Sequence, residues 1–304
     1  MNVRKKNSQV VTMGVVGGVG NQLFQYYAGA YMAMKLSSKL KIDFSYVGLA
    51  GTHHESGIHD LVLPMQYEIV NRRKNKFNEI VWRVHQKICR ESMLLGRVST
   101  RFLGIYQSSV IGYDPFLDTV ANPLSVRGYF QTWRYLNFLR QSGFADPKLA
   151  NNSTWYVETE ELLKATEPVA LHIRRGDYKE LSDSFGLLSI TYYSQAITAL
   201  NKDLRDRPIW VFSDDMESAK KLLSSLNFQF TYLMPPSETN PLESLMLMSK
   251  CKGVITANSS FSWWAGALAI NAKQVIAPSK WFRTLRDPDD LIPENWTRVA
   301  SSWE

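Results

Sequence analysis

Short apolar runs alternate with amphipathic segments along most of this chain, and that alternation predicts strands and helices in turn. An apolar run at residues 10–16 predicts a first strand, and residues 39–44 predict a second one. Between them a helix is predicted from Asn21, with an apolar stripe made of Leu23, Tyr27, Ala30 and Met34. A strand–helix–strand unit implies a parallel sheet, so the pattern predicts an α/β protein.

The second half of the chain repeats this pattern. Its predicted strands are short apolar runs at residues 168–171, 209–212, 230–233, 253–256 and 274–277. Helical segments separate most of them, whereas residues 45–125 show no clear periodicity. Pro and Asn residues at 146–154 predict a linker. We therefore expect two Rossmann-like domains, residues 1–150 and residues 151–304, facing each other across a cleft.

Composition narrows the functional classes. The 304 residues are 45% hydrophobic and 21% charged, which is typical of a soluble globular protein. The net charge of +7 favours an anionic partner, such as a nucleotide, a nucleic acid or an anionic membrane surface. Two cysteines without a CxxC spacing indicate a reducing compartment. No run reaches ~18 uninterrupted apolar residues, and the first apolar run lacks a signal-peptide cleavage site, so a cytoplasmic location is predicted.

Two adjacent arginines follow the strand predicted at residues 168–171. The segment brings His172, Arg174, Arg175 and Asp177 to one strand end, where α/β folds place their binding loops. A guanidinium group buried without a partner is costly, and its planar fork suits phosphate oxygens. We therefore expect an anion at this loop. A surface turn with an Arg–Asp ion pair is the alternative.

Polar clusters also follow two later strands. Ser213, Asp214 and Asp215 close one of them, and the carboxylates could hold a metal, accept hydrogen bonds from a nucleobase or cap the next helix. The other cluster supplies hydroxyls and an amide at a strand-to-helix turn and consists of Asn258, Ser259, Ser260, Phe261 and Ser262. Such a turn predicts a phosphate cradle, although the same hydroxyls can cap the helix. Together the three loops predict a nucleotide diphosphate site.

A glycine-rich turn at residues 17–20 precedes the first predicted helix. It departs from a dinucleotide-binding fingerprint, because Leu23 stands where the third glycine belongs. Asn21 lies at the helix N-terminus, where it either faces a polar ligand or caps the helix. Asp287 and Asp289 have the D-x-D spacing of metal-dependent sugar transferases. Their Pro-containing context favours a surface turn, so no metal site is predicted.

Five ordered motifs make the chain resemble the bacterial α-1,2-fucosyltransferase family, glycosyltransferase family 11. Residues 17–25, 128–131, 172–178, 212–215 and 257–264 resemble the family elements G-G-x-G-N-Q-x-F-Q, G-Y-F-Q, H-x-R-R-G-D-Y, F-S-D-D and (A/S)-N-S-S-F-S-W-W. The resemblance covers nearly the whole chain and implies a GT-B fold whose C-terminal domain binds GDP-fucose. It also implies inverting transfer that needs neither a metal nor another cofactor.

The resemblance assigns the strand-end residues to the donor. Those expected to bind GDP-fucose are His172, Arg174, Arg175, Ser213, Asp214, Asp215, Asn258, Ser259, Ser260, Phe261 and Ser262. By resemblance, the histidine reaches the guanine–ribose end, the two arginines reach the diphosphate, and one of the two aspartates bonds guanine. Arg174 is the predicted catalytic group that stabilises the negative charge developing on the departing GDP. Asn21 and Asp177 are the candidates for relaying the acceptor proton, and Asn21 is favoured for orienting the acceptor, since an amide is no base.

The predicted enzyme is a galactoside 2-α-L-fucosyltransferase. It would transfer L-fucose from GDP-fucose to the 2-hydroxyl of a terminal β-galactoside, in an O-antigen unit or an oligosaccharide. Its basic surface would allow peripheral contact with the inner membrane. The alternatives are a transferase of another GDP-linked sugar, a non-catalytic GDP-sugar-binding module and a nucleic-acid-binding protein. Nucleic acid is not an expected partner, because the arginines are dispersed apart from the pair at 174–175.

Overall fold

The computed structural model describes residues 9–45, 47, 57–70, 76–92, 96, 98, 100, 103–122, 124–176, 183 and 185–304. Its strands are β1 (Val10–Gly14), β2 (Lys39–Asp43), β3 (Leu61–Val62), β4 (Tyr67–Val70), β5 (Ile105–Gln107), β6 (Ser125–Arg127), β7 (Lys148–Leu149), β8 (Val169–Ile173), β9 (Ile209–Ser213), β10 (Phe230–Tyr232), β11 (Gly253–Ile255), β12 (Gln274–Pro278) and β13 (Thr297–Val299). Its helices are α1 (Val19–Lys35), α2 (Lys76–Glu91), α3 (Phe116–Thr119), α4 (Trp133–Gln141), α5 (Thr154–Thr166), α6 (Ile190–Thr198), α7 (Lys202–Arg205), α8 (Met216–Leu223), α9 (Pro241–Lys250) and α10 (Ser260–Leu268), with a short 3-10 turn at Ile58–Asp60.

The chain divides into two compact units. Unit 1 comprises residues 1–58, 63–147 and 288–291, and unit 2 comprises residues 59–62, 148–287 and 292–304. Residues 59–62 therefore belong to unit 2 and residues 288–291 to unit 1. The sequence predicts instead a single boundary after residue 150. The first segment joins unit 2 because β3 pairs with β7, and the second joins unit 1 because Asp290 binds Thr132 and Arg134.

Unit 1 is built on a five-stranded sheet in the order β4-β2-β1-β6-β5, and every pairing in it is parallel. Helix α1 packs on β1 and buries the predicted stripe residues Leu23, Tyr27 and Ala30. Gly29 permits this close packing, since a Cβ there would lie 3.0 Å from the Cβ of Met13. The predicted β1–α1–β2 unit is thus confirmed, with the helix beginning at Val19.

Unit 2 contains a six-stranded parallel sheet in the order β10-β9-β8-β11-β12-β13. Its central strand β8 is buried along its whole length and lies between β9 and β11. Because the carboxyl ends of parallel strands meet at one edge, the loops after β8, β9 and β11 are neighbours. The two sheets confirm the α/β class and the two Rossmann-like domains of the predicted GT-B fold. Among the helices described, none has the length and apolar content needed to cross a membrane.

Candidate active site

Strand β8 delivers His172 to the carboxyl edge of the unit 2 sheet. The residue is only 3% exposed, and burial together with the charge of Arg174 lowers its pKa to about 3. The imidazole is therefore neutral at physiological pH. Its Nδ1 atom has no hydrogen-bond partner within the described part of the chain, and its ring centroid lies 5.7 Å from that of Phe261. A buried ring nitrogen of this kind is available to a ligand.

The carboxylate of Asp214, directly after β9, binds the loop after β8 at three points. Its Oδ2 atom lies 3.1 Å from Nε of Arg174 and accepts the backbone N–H of Gly176 at 3.0 Å. Its Oδ1 atom accepts the backbone N–H of Arg175 at 2.9 Å. A Cβ on Gly176 would lie 2.6 Å from the same Oδ2, so this position requires glycine. Asp214 thus holds both the backbone of the loop and the first arginine.

The second arginine has a different surrounding. Arg175 is 5% exposed, and its Nη2 donates to Oε1 of Glu304 at 2.8 Å and to the carbonyl oxygen of Leu188 at 3.1 Å. Its Nη1 contacts the other oxygen of Glu304. The two arginines were expected to share one anion. The structure instead places the Arg175 guanidinium on a carboxylate of its own chain, because a fork this deeply buried needs a permanent counter-charge.

The two remaining residues of the β9 loop form a capped turn. Asp215 is the N-cap of α8, with Oδ1 accepting the backbone N–H of Ser218 at 3.0 Å and Oδ2 accepting its hydroxyl at 2.7 Å. The hydroxyl of Ser213 accepts the N–H of Asp215 at 3.1 Å. Helix capping, the plainer interpretation of this cluster, is therefore what the structure shows for Asp215.

The turn after β11 is built by its own side chains. The Nδ2 atom of Asn258 donates to the carbonyls of Phe185 and Gly186, at 2.9 and 3.1 Å. Ser259 is the N-cap of α10, and the hydroxyl of Ser262 accepts the N–H of Ala257 at 3.2 Å. These side chains shape the turn rather than face outward.

The part of this region that suits an anion is the first turn of α10, which begins at Ser260. The N–H groups of a first helical turn lack partners within the helix, and the helix dipole is positive there. Phe261 follows in that turn, and its contact with the His172 ring places the helix N-terminus beside the end of β8. The structure thus brings His172, Arg174 and the start of α10 together at one edge of the unit 2 sheet.

Unit 1 carries a second polar cluster, at its glycine-rich turn. Gly17 has φ +75°, and a Cβ there would lie 2.9 Å from Nδ2 of Asn21. The Oδ1 atom of Asn21 accepts a hydrogen bond from Nε2 of Gln131 at 2.8 Å. Gln131 is buried, and its Oε1 atom has no partner among the described residues. Sequence reasoning missed Gln131 as a site residue, although the G-Y-F-Q motif that contains it was recognised.

Two further predictions concern acidic residues. Asp177, the second candidate for the acceptor proton, lies outside the described residues. The carboxylate of Asp287 accepts the backbone N–H groups of Trp281 and Phe282, at 2.6 and 2.9 Å, as in the surface turn expected there. Among the described residues, no group of three or more His, Cys, Asp or Glu side chains is arranged to hold a metal ion.

Sequence comparison gives concordant matches. Residues 128–300, more than half of the chain, match the family described as Glycosyl transferase family 11. An alpha-1,2-colitosyltransferase of Escherichia coli is 28% identical over 297 residues, covering 95% of this chain and 99% of that protein. The O-antigen biosynthesis glycosyltransferase WbnK of Escherichia coli is also 28% identical, covering 93% of this chain and 98% of that protein.

Solved structures match the fold. Fucosyltransferase NodZ from Bradyrhizobium is 12% identical with a TM-score of 0.50, covering 89% of this chain and 95% of that chain. The NodZ alpha-1,6-fucosyltransferase soaked with GDP-fucose is 12% identical with a TM-score of 0.52, covering 90% of this chain and 96% of that chain. At this identity the similarity establishes the fold alone.

Proposed function

This chain belongs to glycosyl transferase family 11, and from that premise we propose that it transfers L-fucose from GDP-fucose to the 2-hydroxyl of a terminal β-galactoside. In this reaction the acceptor oxygen forms a bond to the sugar C1 atom while the bond from C1 to the phosphate oxygen breaks. Attack opposite the leaving GDP inverts the configuration and gives an α-1,2 linkage. The GDP-fucose soak of the NodZ structure and the colitosyltransferase relative support a GDP-linked deoxysugar as donor.

The observation that carries the proposal is the position of Arg174. It is held by Asp214 just beyond the carboxyl end of β8, and His172, two residues earlier, contacts Phe261 in the first turn of α10. GDP is a poor leaving group unless its developing charge is stabilised, and a preorganised guanidinium and a helix N-terminus at the same edge of the sheet can each provide such stabilisation. We assign the diphosphate to Arg174 and the first turn of α10. This assignment needs no metal ion.

The remaining contacts to the GDP-sugar are assigned according to the hydrogen bonds that each side chain makes within the chain. His172 is neutral and has an unpaired buried nitrogen, which suits a hydrogen bond with the guanosine part of the donor. Asp214 and Asp215 each accept hydrogen bonds from the chain itself, and we assign Asp214 to holding the loop after β8 and Asp215 to capping α8, rather than to the guanine contact expected of one of them. Asn258 and Ser262 are likewise assigned to shaping the turn.

For the acceptor we assign the Asn21–Gln131 pair of unit 1. Because Oδ1 of Asn21 is used by Gln131, the amide group that Asn21 can offer to a sugar is its Nδ2 donor. An amide cannot remove a proton, so Asn21 orients the acceptor, and Asp177 stays the candidate that accepts the proton. The O-antigen relative supports an acceptor that is part of an O-antigen unit, and we place the reaction in the cytoplasm at the membrane surface.

A second candidate is transfer of colitose from GDP-colitose, which the 28% identical colitosyltransferase favours. Colitose is fucose without its 3-hydroxyl group. The two candidates differ in the donor sugar and share the GDP site, so one assay separates them.

The test is GDP release from each of the two donors across a panel of β-galactosides, with the linkage of the product determined by NMR. The proposal predicts release from GDP-fucose that depends on the acceptor, and an α-1,2 product. Faster turnover of GDP-colitose would select the second candidate. Binding of GDP without acceptor-dependent release from either donor would indicate a non-catalytic module and would overturn both.

A further inference from the structure

Glu304 contacts the arginine loop although it stands 129 residues from Arg175 in the sequence. Both of its carboxylate oxygens bind the guanidinium of that arginine, one at each Nη atom. A bidentate pair fixes the orientation of the fork as well as its distance. Because Arg175 is 5% exposed, water contributes little to stabilising its charge, and the Glu304 carboxylate supplies the counter-charge, with the carbonyl of Leu188 as a further acceptor.

Glu304 is itself held in place by the segment that contains it, residues 302–304. The backbone N–H of Ser189 donates to the carbonyl of Ser302 at 2.8 Å, and the N–H of Glu304 donates to the carbonyl of Leu187 at 2.9 Å. Between them Leu188 and Trp303 form an antiparallel bridge. The segment thus runs antiparallel to residues 187–189, and this pairing brings the Glu304 side chain to Arg175.

The same loop is tied to the turn before α10. Gly186 has φ +78°, and a Cβ there would lie 2.5 Å from the ring of Trp303. The carbonyl oxygens of Phe185 and Gly186 accept hydrogen bonds from Nδ2 of Asn258. Segment 302–304 therefore packs on a loop that is bonded on one side to Arg175 and on the other to Asn258, so it connects two of the strand-end motifs.

Arg175 connects Glu304 to the loop that carries Arg174. Its side chain is bound by Glu304, while its backbone N–H is bound by Asp214, the carboxylate that also holds Arg174. We propose that Glu304 is a positioning residue for the donor: it fixes Arg175, and thereby the loop that presents Arg174 to the diphosphate. The identity of that donor rests on the function proposed above, whereas the anchoring of the loop does not.

The test uses the full-length chain with Glu304→Gln, which keeps the shape of the side chain and removes its charge. Glu304→Asp restores the charge, and exposed Glu294→Gln is the control. Glu304→Gln is expected to weaken GDP binding and to raise the KM for GDP-fucose by about tenfold or more, with the acceptor KM unchanged. Glu304→Asp should recover part of the loss. Wild-type donor KM and GDP affinity in Glu304→Gln overturn the proposal, even if the variant melts at a lower temperature.

A second measurement does not depend on the donor. Hydrogen exchange at the backbone amides of Arg175 and Gly176, both of which donate to Asp214, should become faster in Glu304→Gln than in the wild type and in Glu294→Gln. If the wild type neither binds GDP nor releases it from GDP-fucose, the proposed function fails, and the exchange rates still decide whether Glu304 positions the loop. Unchanged exchange at these two amides overturns the inference.

Discussion

Asp214 binds Arg174 through a contact of 3.1 Å between Oδ2 and Nε, and its carboxylate also receives the two backbone N–H groups that follow that arginine. One acidic side chain at the end of β9 therefore fixes both the backbone and the first charged group of the loop after β8. This places Asp214 in the role of positioning Arg174, the group to which we assign the diphosphate.

Asp214→Asn should impair the donor site and the fold together. The substitution removes the negative charge opposite Arg174. It also replaces one carboxylate oxygen of residue 214 by an NH2 group, which would face a backbone N–H group. Loss of such charge-assisted hydrogen bonds costs about 1–3 kcal/mol in the free energy of unfolding, measurable by urea denaturation. The KM for the GDP-sugar should rise about 10–100-fold in steady-state assays.

Asp215→Asn is the matched control, because asparagine caps a helix about as well as aspartate. It should leave both the unfolding free energy and the donor KM close to the wild-type values. A large rise in donor KM for Asp215→Asn with none for Asp214→Asn would mean that Asp215 contacts the nucleotide and that the assignment made here is reversed.

The neutral state of His172 predicts a specific dependence of stability on pH. Its pKa is about 3 in the folded chain and about 6.5 when unfolded, so the unfolded chain binds more protons between these values. The unfolding free energy that His172 contributes is complete above about pH 6.5 and is lost as the pH falls toward 3. The stability difference between wild type and His172→Gln should therefore shrink by about 2 kcal/mol between about pH 7 and pH 5. Parallel stability curves for the two proteins would show that His172 is not held neutral by burial.

The Asn21–Gln131 pair should act on the acceptor alone. Asn21→Ala and Gln131→Met are both expected to raise the acceptor KM or lower kcat by about tenfold or more, because each removes the hydrogen bond that orients the Asn21 amide. The double variant should lose little more than either single one. GDP affinity, measured by calorimetry, should stay at the wild-type value, and a parallel loss of GDP affinity would contradict the assignment.

Removal of divalent metal ions should leave the activity unchanged, because the proposal gives the leaving-group charge to Arg174 and to the helix N-terminus. Turnover of GDP-fucose after dialysis against EDTA is the measurement, with Mn²⁺ and Mg²⁺ added back as controls. An absolute requirement for either ion would mean that a metal, rather than Arg174, stabilises the departing GDP.

The sequence was sufficient for the features that are local. Apolar runs located β8, β9 and β11, and the polar residues directly after them were correctly expected to meet, because parallel strands share one carboxyl edge. The partners of those residues were not predictable. Nothing in the sequence pattern around Arg175 indicates that Glu304 is its partner. The Asp214-Asp215 pair after β9 was compatible with three roles: metal binding, nucleobase binding and helix capping. Which carboxylate meets which guanidinium is decided by tertiary packing between distant segments.

Whether Arg174 holds the diphosphate is decided by the affinity for GDP of variants at this position, measured by calorimetry. Arg174→Ala should weaken binding by about 10–100-fold, the loss expected for a charge-assisted contact with phosphate, and Arg174→Lys should recover only part of it because the fork is lost. Arg207→Ala, which removes an arginine paired with Glu167 elsewhere in unit 2, should bind GDP like the wild type. Unchanged GDP affinity in Arg174→Ala would show that this arginine does not hold the diphosphate of the donor.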